Sequence, residues 1–168
     1  MIDIMYYVDK GGMIVYILMG LNVIGLTIML WKLVVLAISR WRKESIVNDI
    51  LMFVDKYEQP TKEKIIQNAI DTQIKSMEFG LDTIKIIASI APLLGLLGTV
   101  LGVLSAFEAI SKEGLGDPAV FSSGISIALI TTIAGLIVAI PHYIAYNYFI
   151  SLLDRIETTL EKDVLEKL

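Results

Sequence analysis

The sequence predicts an all-α integral membrane protein with three transmembrane helices, the second and third extended into the cytoplasm. Three observations predict this class. Met13–Trp31, Ile86–Phe107 and Pro118–Leu153 are runs without a charged residue. At 1.5 Å per helical residue, each is about long enough to cross ~30 Å of hydrocarbon. The chain is 55% hydrophobic and only 19% charged over 168 residues, with a mean hydropathy of +0.71, as clustered lipid-facing helices require. Outside the runs, apolar residues recur at steps of three and four, and no segment alternates as a strand does.

The same composition excludes several functions. A net charge of −4, dispersed along the chain, gives no footprint for nucleic acid. There is no cysteine, so no disulfide framework or thiolate site, and only one histidine, His142. No metal site and no cofactor are expected.

The first twelve residues form an outer segment. M-I-D-I-M-Y-Y-V-D-K carries two acids and one base, which is not the basic start of a cleaved signal. The apolar stretch behind it is expected to stay as a span. Span one covers 13–38. Lys32 near its end is expected to snorkel toward Arg40, Arg42 and Lys43, with Trp31 and Trp41 at interfacial positions.

Residues 39–83 form a cytoplasmic helical segment. Ile46, Ile50, Phe53, Val54 and Tyr57 share a face; Gln59-Pro60-Thr61 interrupts it, and Thr61 is placed to cap a new helix. Ile66, Ile70, Ile74 (or Gln73), Met77, Leu81 and Ile84 lead into span two, with Gly80 as the one interruption. Span two covers 84–110, an outer turn 111–119, span three 120–150, and a helical tail 151–168 with Leu153, Ile156, Leu160, Val164 and Leu168 on one stripe. Arg40, Arg42 and Lys43 follow span one, Lys75 and Lys85 precede span two, and Arg155 follows span three. The positive-inside rule then puts the N-terminus outside and the C-terminus in the cytoplasm.

Small and polar residues inside the spans carry the functional signal. In span two, Pro92, Gly95, Thr99, Gly102 and Ala106 share a face, and Gly98 with Gly102 makes a G-x-x-x-G pair. In span three, Gly124, Ala128, Thr131, Gly135, Ala139 and His142 do the same, with Thr132 about 100° round the helix. The plain reading is a packing seam, since small residues let backbones approach, with each threonine hydroxyl bonded to its own helix. The sharper reading is that Thr99, Thr131 and Thr132 line a polar path and offer hydroxyls to an ion or to a partner's side chain.

No Asp, Glu, Lys or Arg lies near the centre of any span. Proton-moving membrane machines need an ionisable group there, so a proton path through this chain takes its acid from another chain. His142, after Pro141, reads as a hydrogen-bonded residue near the inner interface rather than a relay. G-L-L-G-T-V-L-G is no phosphate loop, lacking a preceding strand and a following lysine. Ser111, Ser122 and Ser123 have no base placed to activate them. No enzyme is expected.

Two blocks carry a resemblance. A-P-L-L-G-L-L-G-T-V-L-G-V-L-S-A-F (91–107) and G-I-S-I-A-L-I-T-T-I-A-G-L-I-V-A-I-P (124–141), with Tyr146-Asn147 after them, resemble the ExbB/TolQ/MotA family of proton-driven inner-membrane motor subunits. The resemblance is to the ExbB and TolQ branches more than to the four-span MotA branch, and most of all to ExbB. It implies a homopentameric ring in the lipid bilayer of a bacterial inner membrane. It also implies a single-span ExbD- or TolR-like partner that brings a membrane aspartate, and a TonB- or TolA-like protein on which the complex works. Thr99 and Thr132 fall on the family's threonines near that aspartate. Pro92, Gly95, Gly98, Gly102, Gly124, Ala128, Gly135 and Pro141 are expected to pack helices. Ile127 stands where many members have a glutamate. The alternatives to an ExbB-like transducer are a TolQ-like subunit of an outer-membrane maintenance system, a non-conducting scaffold, or a channel formed by this chain alone.

Overall fold

A computed structural model describes residues 4–54, 61–114 and 118–167, all but a few of which are helical. The helices are α1 (Ile4–Trp41), α2 (Lys43–Val54), α3 (Thr61–Glu78), α4 (Leu81–Glu113) and α5 (Pro118–Glu166). Among the described residues, three helices are long and apolar enough to cross a membrane, and they lie in α1, α4 and α5. The chain is a multi-pass membrane protein. The chain divides into two compact units. One holds Met1–Thr27 and Thr83–Ile144, the other Ile28–Asp82 and Ala145–Leu168.

In the first unit, Leu18, Ile87, Ala91, Val138 and Ala139 form a buried cluster, with Ile14, Leu21, Leu94 and Ala134 against it. The opposite faces of the helices expose Leu93, Leu96, Val100, Leu129, Ile133 and Ile137. In water such a surface would drive association; facing hydrocarbon or another helix, it needs no further cover. Helix α1 begins earlier than the span predicted for it and breaks at Gly12 (φ 64°, ψ −153°), a backbone state that side chains resist. Pro118 opens α5, where its missing N–H costs nothing. Gly114 (φ 79°) closes α4, its N–H donating to Ile110 O at 2.8 Å as a left-handed C-terminal cap does.

In the second unit, Val47, Ile50, Ile66, Ile70, Ile74, Leu160 and Val164 form the core. Ile50, Ile66, Ile70, Ile74, Leu160 and Val164 lie on the stripes expected for α2, α3 and the tail, whereas Val47 takes the place expected of Ile46, which is only partly buried. Gln67 Nε2 donates to Glu161 Oε1 at 2.9 Å beside them. Phe53 and Val54 have no described side chains; Tyr57, the 59–61 interruption up to Pro60, and Leu168 lie outside the described residues. Gly80 (φ 88°) separates α3 from α4, so the helix of span two starts at Leu81 rather than running unbroken from α3.

Lys32 corrects the snorkelling expectation. Its side chain is buried, and Nζ donates to Met77 O. It also lies 5.2 Å from the Trp31 ring centroid. The last turn of α3 leaves carbonyls without helical partners. A cation there is favoured by the helix dipole, so the ammonium goes to the carbonyl rather than out to water.

Glu157 sits half-buried on the tail. Desolvation first, then the charges of Glu161, Asp71, Asp154 and Glu78, push its carboxyl above the ordinary range. The folded unit therefore holds this proton to higher pH than the unfolded chain. Stability falls as pH rises past the unfolded value and is lowest once the folded group has ionised. Glu157→Gln is expected to stabilise the fold at pH 7 by only a fraction of a kcal/mol, since the carboxylate is still partly exposed to screening solvent, and so to raise the melting temperature slightly. It should also flatten the gain seen on acidification toward pH 5. Thermal melts across pH check this; a variant that melts below the parent at pH 7 contradicts it.

Candidate functional site

The site is built where α4 and α5 cross within the first unit. Five glycines make the crossing possible, and their positions can be read from what a Cβ would strike. At Gly102 it would lie 2.6 Å from Gly124 O, at Gly135 2.6 Å from Ala91 O, and at Gly95 2.9 Å from Thr131 O. At Gly124 it would lie 2.8 Å from Ala106 N, and at Gly98 it would fall on the Thr131 side chain. These pairs run down both helices in one antiparallel register. The two glycine stripes of the sequence thus face each other inside one chain.

Ala106, Ala128 and Ala139 are buried with them. Pro92 is half-buried and Pro141 exposed, so Pro141 stands outside the seam. Both prolines lie inside their helices, where a lost N–H bond is tolerable if neighbours cover the freed carbonyl.

At the edge of the seam, Thr99 and Thr132 bring their hydroxyls into mutual hydrogen bonding. Thr99 Oγ1 also lies 3.2 Å from Gly95 O and 3.2 Å from Ala128 O. Thr132 Oγ1 lies 3.4 Å from Gly95 O. Both residues are half-buried. Two hydroxyl protons share three acceptor positions here: the Gly95 carbonyl, the Ala128 carbonyl, and the other hydroxyl. Each hydroxyl rotates to suit its surroundings. The pair can therefore turn one proton toward a carboxylate or present a lone pair to a carboxylic acid, while its remaining bonds hold it in place.

Thr131 is placed differently. It is fully buried, with Oγ1 3.0 Å from Ile127 O and 2.9 Å from Ala128 O. Ile127 is half-buried and brings no charge. Glu108 and Lys112 flank the C-terminal end of the α4 span and Lys85 its N-terminal end, so the threonine pair has no ionisable residue from either span's centre beside it.

His142 is also fully buried. Nδ1 lies 2.7 Å from Val138 O, which only accepts, so Nδ1 donates. Nε2 has no hydrogen-bond partner among the described residues. The ring occupies the space that a side chain at Gly25 would need, and Gly25 of α1 escaped the sequence reading. Its signal was available: a glycine in the middle of a span of large apolar residues marks close approach of another group. The meeting of Thr99 with Thr132 was also beyond the stripes alone, because each stripe describes one helix and not the register between two.

Residues 37–162 match the model of the MotA/TolQ/ExbB proton channel family. The match takes in both seam helices. The chain belongs to this family. Several family relatives are similar over shorter or longer stretches. A biopolymer transport protein ExbB homolog of Methanothermobacter thermautotrophicus is 31% identical over 86% of this chain and 62% of its own length. An ExbB-like protein of Helicobacter pylori is 32% identical over 86% of this chain and 85% of its own. The Tol-Pal system protein TolQ of Haemophilus influenzae is 39% identical over 47% of this chain and 35% of its own. The chain thus spans about three fifths of the Methanothermobacter relative and most of the Helicobacter one.

Proposed function

We propose that this chain is an ExbB-like, ring-forming subunit of a bacterial inner-membrane motor. With an ExbD-like single-span partner it converts proton motive force into work on a TonB-like protein for outer-membrane transport. The single observation that carries this reading is the Thr99–Thr132 hydroxyl pair, half-open at mid-span and set beside no carboxylate of its own. The N-terminus faces the periplasm and the C-terminus the cytoplasm, following the basic residues around the spans.

In this mechanism the partner's aspartate takes a proton from the outer side and accepts or donates at the threonine pair. It then releases the proton inward. Alternation between charged and neutral acid biases movement of the partner against the ring. A lone acid in hydrocarbon is costly, so the hydroxyls also stabilise the partner's insertion. The glycine seam favours a second reading, a scaffold that only packs helices. A TolQ-like role shares the same chemistry.

Proton uptake by vesicles separates these readings. The proposal predicts flux when chain and partner are reconstituted together and none from either alone. Flux from this chain alone would make it a self-sufficient channel. No flux with an intact assembled complex would leave it a scaffold.

A further inference from the structure

Thr131 is the one threonine of the seam that has nothing to offer a ligand. It is fully buried, and its hydroxyl is occupied by the carbonyls of Ile127 and Ala128 on its own helix. Its side chain has another use. A Cβ built at Gly98 would meet Thr131 Cβ, Oγ1 and Cγ2, all three, before any other atom beyond the local backbone of its own helix. Thr131 therefore fills the volume that glycine leaves empty on the facing helix. A β-branched residue is stiff at χ1, so it makes a defined peg. A one-residue change of register, about 1.5 Å along α4 with about 100° of rotation, would bring Leu97 or Thr99 to the same place, and neither leaves room for it.

The sequence positions make this consequential. Gly98 is followed by Thr99 and Thr131 by Thr132, so the peg and its notch are each one residue from the hydroxyls that meet. We propose that Thr131 is a positioning residue. Seated in the Gly98 notch, it fixes the register of α4 on α5 that brings the Thr99 and Thr132 hydroxyls together. Its shape performs this, not its hydroxyl. The value of that register for proton transfer rests on the function proposed above; the register itself does not.

The chain has no cysteine, which allows a direct test. Thr99→Cys with Thr132→Cys places two thiols where the hydroxyls meet, and a disulfide forms only if the Cβ atoms lie within about 3.5–4.5 Å. Oxidation in membranes should cross-link this pair in the parent background and equally with Thr131→Val, which keeps the shape and drops the hydroxyl. Thr131→Gly empties the notch, and Gly98→Ala fills it twice. Each should slow cross-linking at least about tenfold, as loss of a buried side chain's preference or a backbone-level clash implies. Combining Gly98→Ala with Thr131→Gly moves the peg to the other helix and should restore it.

The proposal is overturned if Thr131→Gly cross-links at the parent rate, if Thr131→Val does not cross-link, or if the swap fails to restore it. Proton flux, measured with Thr99 and Thr132 intact, should follow the same order. Cross-linking in that order with flux indifferent to it would refute the proton-transfer reading and leave the register standing.

Discussion

Thr99→Ala and Thr132→Ala are each expected to lower partner-dependent proton flux about 10- to 100-fold, the range for losing a hydrogen bond to a charged group near a barrier. The oligomer should survive both changes, because neither residue fills the seam: both are half-buried at its edge. The two losses should not add. Both hydroxyls belong to one hydrogen-bonded set with the Gly95 and Ala128 carbonyls, and coupled groups share their effect. Thr→Val at either site should match Thr→Ala, since it removes only the hydroxyl group, and Thr→Ser should retain most of the flux. Unchanged flux in the alanine variants, with the complex assembled, would favour the scaffold.

Gly102→Leu is the second large effect. Even the first carbon of a side chain at 102 would lie 2.6 Å from Gly124 O and 2.7 Å from Ala128 N. Both atoms are backbone, so neither can rotate aside. The helices must separate along the seam, at a cost above the ~1–3 kcal/mol of ordinary overpacking. Separation would also misplace Thr99, one turn away. A lower melting temperature of the folded chain and loss of flux are expected together, any assembly being lost as a consequence. An unchanged melting temperature would contradict the packing role of Gly102.

Much of this architecture is legible in the amino-acid sequence because lipid imposes simple rules. A helix must satisfy its own backbone in hydrocarbon, so charge-free runs announce α1, α4 and α5 directly. The 3.6-residue stripe likewise announces the Ile66–Ile70–Ile74 face of α3 and the Leu153–Leu160–Val164 face of the tail. Breaks depend on single residues in competition with their neighbours. Gly80 ends α3, and Gly12 breaks α1 within a helix that otherwise continues.

The candidate site is legible one helix at a time. Threonines 99, 131 and 132 stand out from the apolar runs as residue types, and periodicity puts Thr99 and Thr131 on the stripes with Thr132 about 100° off, but it does not say which of them meet. What separates them is the facing helix. Gly98 receives Thr131 and buries it, while the Gly95 backbone leaves Thr132 at the edge against Thr99. Lys32 differs for a similar reason. Its fate depends on the free carbonyl of Met77, forty-five residues away in sequence, and no local pattern contains that partner.

The central claim is that the Thr99 and Thr132 side chains face a partner's acid-bearing helix and not lipid. The most direct measurement is site-specific cross-linking in the assembled complex. It pairs Thr132→Cys in this otherwise cysteine-free chain with a cysteine placed one turn from the membrane aspartate of the ExbD-like partner. A disulfide between the two chains at this position, absent when the cysteine is moved to the exposed Ile133, is the predicted result. Cross-linking at 133 and none at 132 would contradict the account.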